Sequence, residues 1–379
     1  MQETVRQGIY LHVPFCRGKC VYCGFYSVAS LAWKELYLRA VEGEIEARRG
    51  ELEAKKASSL YVGGGTPSVL SARELDRLVK ALEKVATFEE GAERTIEVNP
   101  EDVSMESLKA WKEMGFNRLS VGVQSFSDEA LKRVGRRHDG RQAVEAVMAA
   151  EAAGFEEISV DLIVGLPGEE EEGVRRDAER LVGLPVCHAS VYLLGVDAGS
   201  VLEVKARKGE VRLATEEVMA RCFEWVSERL GRAGFEHYEV SNFARRGRFA
   251  RHNTGYWKGG HYMGFGPAAH SFDGISRRWN AANVKRYGEA VLSGGAFFEG
   301  EVLSDVDRYN EFVMTSLRVT WGASRRVLEG EFGAFFERTR EEWEKLVERG
   351  LLREEEGWLR PSVAFWLVSD MLLPGLFCA

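Results

Sequence analysis

Short runs rich in β-branched and aromatic residues alternate with longer stretches of helical periodicity through the first half of the chain. Residues 9–13, 59–62, 95–98, 118–123, 158–164 and 189–194 read as strands, and 31–49, 71–86, 104–114, 128–153 and 170–182 read as helices between them. A helix in each gap predicts parallel pairing, because antiparallel neighbours need only tight turns. The expected architecture is α/β, a parallel sheet or partial barrel over residues 1–235. Beyond it, 237–278 is rich in glycine, aromatic residues and histidine with little helical periodicity, and 236–300 is expected to form an extension. Helical patterns at 305–319, 323–330 and 332–349, a β-like piece at 357–360 and an apolar tail predict a small helical or winged-helix-like domain over 301–379.

Several expected strands end in polar or glycine-rich chemistry: Gly63-Gly64-Gly65-Thr66-Pro67, Glu97-Val98-Asn99-Pro100, Gln124-Ser125-Phe126, and Asp161 ahead of Gly165-Leu166-Pro167-Gly168. Parallel α/β architectures present the carboxyl ends of their strands to the ligand, so these groups are expected at one mouth.

Composition narrows the class. The chain has 379 residues, 45% hydrophobic and 29% charged, ordinary for a soluble globular protein with ample core. Lys plus Arg number 51 against 59 Asp plus Glu, a net charge of −8, which argues against a nucleic-acid partner. Residues 1–8 are polar with both charge signs, unlike a signal or transit peptide, and no uncharged apolar run approaches the roughly 18 residues of a membrane span. A cytoplasmic location is expected.

Of six cysteines, Cys16, Cys20 and Cys23 fall within eight residues, while Cys187, Cys222 and Cys378 are scattered and read as buried thiols. In a reducing compartment a tight cluster reads as metal binding before disulfide. Structural zinc takes four protein ligands, so a zinc site here needs a distant His or Cys, and that alternative stays open on the cysteines alone. Three thiolates around a [4Fe–4S] cluster leave one iron open to chelation by the amino and carboxylate groups of S-adenosylmethionine (SAM). Arg17 and Lys19 add positive charge beside the thiolates.

These residues together, Tyr10-Leu11-His12-Val13-Pro14-Phe15-Cys16, the GGGTP loop, Glu97-Val98-Asn99-Pro100, Gly122-Val123-Gln124-Ser125-Phe126, Gly135-Arg136-Arg137-His138 and the segment Asp161 to Gly168, resemble the anaerobic coproporphyrinogen III dehydrogenase superfamily of radical SAM proteins, in order from residue 8 to about 320. The resemblance implies a partial (β/α)6 radical SAM barrel with a [4Fe–4S] cluster on Cys16, Cys20 and Cys23. It further implies SAM contacts at Tyr10, Gly64 and Glu97, with Tyr22, Gly65, Thr66, Gln124, Arg136 and Asp161 adding others. Carboxylates and amide oxygens suit ribose hydroxyls or an ammonium group, and Arg136 suits a carboxylate.

Two activities compete within that superfamily. One is oxidative decarboxylation of coproporphyrinogen III to protoporphyrinogen IX; the other is haem chaperoning, in which haem is bound and handed to acceptor proteins, respiratory complexes among them. The chaperone branch is favoured by three features. Only nine residues precede Tyr10, the cysteine run ends Cys23-Gly24-Phe25 where dehydrogenases place a further cysteine, and His252-Asn253-Thr254-Gly255-Tyr256-Trp257 matches the HNxxYW signature of that branch. His252 is the first candidate haem ligand, with His237, His261 and His270 as alternatives. Whether SAM is cleaved, whether the chain dimerises and whether it docks transiently to a membrane stay open at this level, as does the alternative of a zinc-holding binding module without SAM.

Overall fold

The computed structural model describes residues 7–53 and 56–379. Residues 1–6, on which the expectation of no targeting segment rests, lie outside the described residues. The six expected parallel strands are β1 (Gln7–Val13), β2 (Lys56–Gly64), β3 (Thr87–Val98), β4 (Arg118–Gln124), β5 (Glu157–Val164) and β6 (His188–Leu193), paired in chain order. Their inner positions are apolar: Ile9, Leu11, Leu60, Val62, Ile96, Leu119, Val160 and Val191 are all fully buried, as strands covered on both faces require. The helices begin where side chains can cap them. Ser71 with Glu74 and Asp139 with Gln142 form reciprocal capping boxes that satisfy the first free backbone N–H groups.

The segment after residue 235 adds to this same sheet at both edges. The hairpin β7 (Phe235–Glu239) and β8 (Asn242–Arg245) joins antiparallel beside β6. At the other edge β9 (His261–Phe265) pairs parallel with β1, and β10 (His270–Phe272), β11 (Ser276–Asn280) and β12 (Phe298–Val302) follow antiparallel, giving twelve strands in all. The parallel set thus has seven members where six are expected, because β9 is placed by a partner some 250 residues away in sequence. The result is an open α/β partial barrel.

Glu44 ties β9 to the barrel. It is fully buried on helix Lys34–Ala47; one carboxylate oxygen accepts from Arg48 at 3.2 Å and Asn280 at 2.8 Å, the other from the Gly266 amide at 2.9 Å and the Tyr287 hydroxyl at 2.6 Å. A buried ion pair survives only when each remaining lone pair has a donor, and here each does.

A second difference shapes the site. The expected helix 128–153 is two helices, Asp128–Arg133 and Gly140–Ala152. Gly135 takes a left-handed φ of 80°, which ends the first, and the Asp139 cap starts the second. The intervening turn delivers Arg136 and His138 toward the mouth.

Residues 305–376 build the small winged-helix-like unit. Helices Asp305–Ser316, Arg325–Gly330 and Gly333–Glu348 pack on a three-stranded antiparallel sheet of β13 (Ala323–Ser324), β14 (Leu352–Glu355) and β15 (Trp358–Pro361). They share a separate core of Tyr309, Phe336, Trp343, Leu359 and Phe365. Backbone bonds from Val240 to Arg318 and from Thr320 to Tyr238 fasten this unit to β7 and its turn. Among the described residues no helix is long and apolar enough to cross a membrane.

Candidate functional site

The carboxyl ends of β1 to β6 surround a cavity of about 550 Å³ that takes in Cys16, Cys20, Cys23, Tyr22, Gly64, Gly65, Thr66, Glu97, Gln124, Arg136 and Asp161. Every SAM or cluster residue expected from the sequence is there except Tyr10. The three cysteines are half-buried free thiols on the loop following β1. The Thr66 hydroxyl donates to Cys16 Sγ at 3.5 Å, and Arg136 donates to Cys20 Sγ at 3.8 Å. Burial raises the Cys23 thiol above its ordinary value, with Cys16 and Cys20 adding to the effect. Arg17 turns outward to Asp102 at 3.0 Å.

The glycine loop is shaped by its neighbours. A Cβ on Gly63 would meet Glu97 Oε1 at 2.6 Å, one on Gly64 the His12 ring at 2.5 Å, and one on Gly65 the backbone oxygens of Phe15 and Val13 at 2.7 and 2.8 Å. Only glycine lets this loop run against the cysteine loop, where the Gly65 and Thr66 amides donate to Val13 and Phe15 at 2.8 and 2.7 Å. Gly65→Ala is therefore expected to displace the loop from rigid backbone, costing about 1–3 kcal/mol of stability by urea unfolding and abolishing SAM binding in equilibrium dialysis.

Two carboxylates sit inside. Glu97 accepts from the Tyr61 hydroxyl at 2.7 Å and the Gly64 amide at 3.1 Å; burial dominates and pushes its pKa up to about 7. Asp161 accepts from Ser120 at 3.1 Å and is raised to about 6 by burial, against the opposing hydrogen bonds of Ser190 and Ser120. Arg136 donates to Asn99 Oδ1 at 2.7 Å and the Gly122 carbonyl at 2.5 Å, while its buried Nε has no partner among the described residues. Gln124 holds a left-handed φ of 68°, costly for a residue with a Cβ. A glycine cradle, three cysteine sulfurs, two of them receiving hydrogen bonds, and an unspent guanidinium N–H fit an anionic cluster carrying a zwitterionic ligand.

Beside this cavity lies a larger one of about 1170 Å³, between the barrel and the winged-helix-like unit. Tyr256, Trp257, Phe312, Trp321, Phe332 and Trp358 make aromatic walls, with Lys258, Arg277, Arg308 and His270 among the polar groups. Tyr10 faces this chamber, its hydroxyl 3.0 Å from His12 Nδ1.

The structure does not bring His252 into either cavity. It is 3% exposed, with Nδ1 2.8 Å from the Ser59 hydroxyl and Nε2 2.7 Å from the Tyr256 hydroxyl, and its ring stacks on Tyr61. Burial lowers its pKa to about 3, so the ring is neutral and both nitrogens are committed. His252 thus positions Tyr256 on the chamber wall. The short helix Arg251–Trp257 that carries it is seated by Glu93, whose carboxylate accepts the Arg251 and His252 amides at 2.9 and 2.8 Å. Trp257 is held by Glu239 at 2.9 Å. His237 is also interior, stacked on Phe243 and hydrogen-bonded to Ser227 at 2.9 Å. His261 lines a separate cavity of about 540 Å³ beneath the β9 to β12 edge. His270 is the alternative that reaches the large chamber. Sequence reading missed Glu93, Glu239, Tyr61 and Ser59, whose roles depend on partners far along the chain.

An open parallel barrel with three cysteines in the loop after its first strand defines a radical SAM protein, and the family model described as Radical SAM superfamily matches residues 10–181. The chain is 38% identical over 291 residues to "Heme chaperone HemW" of Mycobacterium tuberculosis, covering 76% of this chain and 74% of that protein. It is 34% identical over 355 residues to "Heme chaperone HemW" of Bacillus subtilis, covering 92% and 93%. Its backbone matches the solved structure of coproporphyrinogen III oxidase (HemN) from Escherichia coli with a TM-score of 0.84 at 24% identity, covering 98% of this chain and 90% of that one. The chain belongs to the HemW family of the radical SAM superfamily.

Proposed function

We propose that the protein is a haem chaperone, holding haem for transfer to acceptor proteins and carrying a [4Fe–4S] cluster that binds SAM. The aromatic chamber beside the cysteine cavity carries this reading. At about 1170 Å³ it exceeds the roughly 300–1,000 Å³ of ordinary small-molecule sites, and its walls suit a flat macrocycle, its cations two propionates, and an imidazole an iron. His270 is the axial ligand in this reading. Its pKa is lowered by burial first and Arg277 second, which favours the neutral ring that iron ligation demands. Lys258 and Arg308, the latter now paired with Glu331 at 3.0 Å, are the cations offered to propionates. The barrel 1–235 holds the cluster, the extension 236–300 supplies His270, and 301–379 closes the chamber. Cytoplasmic residence, docking to respiratory acceptors at a membrane and homodimer formation belong to the same proposal.

At the other cavity, Cys16, Cys20 and Cys23 would hold the cluster, which supplies a low-potential electron and an open iron for SAM. Glu97 and Asp161 receive ribose hydroxyls or the ammonium group, and Arg136 meets the carboxylate. Because only ionised Glu97 accepts these donors fully and its pKa stands at about 7, SAM affinity is expected to fall up to about tenfold per pH unit below 7. Glu97→Gln should flatten that profile in equilibrium dialysis between pH 6.5 and 8, leaving the fall that Asp161, raised to about 6, causes at lower pH.

The deciding experiment titrates anaerobically reconstituted protein with haem, and separately supplies coproporphyrinogen III, SAM and dithionite. Stoichiometric haem with a Soret band and no protoporphyrinogen is expected. Steady protoporphyrinogen formation would make the chain a dehydrogenase instead.

A further inference from the structure

Phe25 is the one described residue that lines both the cysteine cavity and the aromatic chamber. It stands two residues past Cys23 and is 73% exposed. What sets it apart from other exposed apolar side chains is the cavity on each side of it. Gly24 explains how the ring comes to stand there. A Cβ at Gly24 would meet Asp197 Oδ2 at 2.1 Å, so the small residue lets the chain pass the carboxylate without displacing it, with Phe25 next in line between the chambers. On the far side, Tyr26 continues the wall, its hydroxyl accepting from the Val284 amide at 2.8 Å and its carbonyl 3.0 Å from His12 Nε2. The loop is therefore anchored after Phe25 by the barrel and before it by the cysteines.

We propose that Phe25 is a shared wall that couples the two ligand sites, so that SAM in the cysteine cavity and haem in the aromatic chamber strengthen each other's binding. The inference rests on the haem reading above. Holding an exposed ring in a single rotamer costs conformational entropy. Whichever ligand packs against Phe25 first meets that cost, and the second finds the wall already ordered, which is positive cooperativity without any large rearrangement. Linkage requires the effect to be reciprocal.

The test uses the full-length, cluster-loaded protein. Haem affinity is read from the Soret band with and without saturating SAM, and SAM affinity from equilibrium dialysis with and without haem. Each ligand is expected to tighten the other by the same factor, about fivefold or more. In Phe25→Ala that factor should drop to one even if both affinities weaken, and Phe25→Leu, which keeps an apolar wall and the fold, should retain part of it. Equal haem affinity with and without SAM in the native protein overturns the proposal. So does undiminished coupling in Phe25→Ala, which would assign the communication to the contiguous row Glu97, Tyr61, His252 and Tyr256 instead. Native protein that binds SAM but no haem at all refutes the functional reading itself, and this inference with it.

Discussion

Cys20→Ser, reconstituted anaerobically with iron and sulfide, is expected to emerge without the broad iron–sulfur absorbance and without a paramagnetic signal after dithionite. Cys20 is one of three thiols in the cavity and the one that receives the Arg136 guanidinium, at 3.8 Å. A serine hydroxyl is far harder to deprotonate than a thiol and is a poor partner for soft iron, so two soft ligands would have to hold the whole cluster. Removing merely an outer-shell partner of a metal ligand costs about 10–100-fold in affinity, and losing the ligand should exceed that. Iron and labile sulfide, measured chemically, report the loss directly. Cys378→Ser is the matched control: Cys378 is buried in the C-terminal core with its sulfur 3.6 Å from the Phe335 carbonyl, far from the cavity along the fold, and its variant should load normally. Full iron content in Cys20→Ser, or stoichiometric zinc in the native protein, would refute the cluster assignment.

What the sequence discloses about this chain is what local chemistry encodes. The three-cysteine spacing lies within one loop, the glycine run follows a strand directly, and period-two strands alternate with capped helices, so barrel and cysteine cavity are legible without a structure. Why positions 63–65 must be glycine is not legible there. The space a Cβ would need is taken by Glu97, His12 and the backbone around Phe15, none of which sequence spacing reveals. The split of residues 128–153 turns on the left-handed Gly135 and the Asp139 cap, signals present in the sequence but outweighed by helical periodicity on both sides. The parallel pairing of β9 with β1 and the Glu93 seat beneath Arg251 and His252 join residues more than 150 positions apart, where periodicity has nothing to say. The same limit explains His252. An imidazole beside Tyr and Trp reads as a ligand until Ser59 and Tyr256 are found at its two nitrogens.

That difference yields the second large effect. His270→Ala is expected to shift the Soret band away from the native position and to weaken haem binding by tenfold or more, since an axial bond is lost while the aromatic walls remain. His252→Ala should leave the Soret position unchanged and instead lower stability by about 1–3 kcal/mol, the cost of stranding buried hydrogen-bonding partners. The two variants thus separate along different readouts, spectrum for one and urea midpoint for the other. Acid titration gives an independent check. Burial and Arg277 hold His270 below the ordinary histidine pKa, so its proton competes with iron only under more acidic conditions than the usual value of about 6.5, and the native spectrum should hold from pH 8 down to that point. If instead His252→Ala abolishes the Soret shift and His270→Ala preserves it, the helix Arg251–Trp257 must open on haem binding and His252 must leave Ser59 and Tyr256 for the iron.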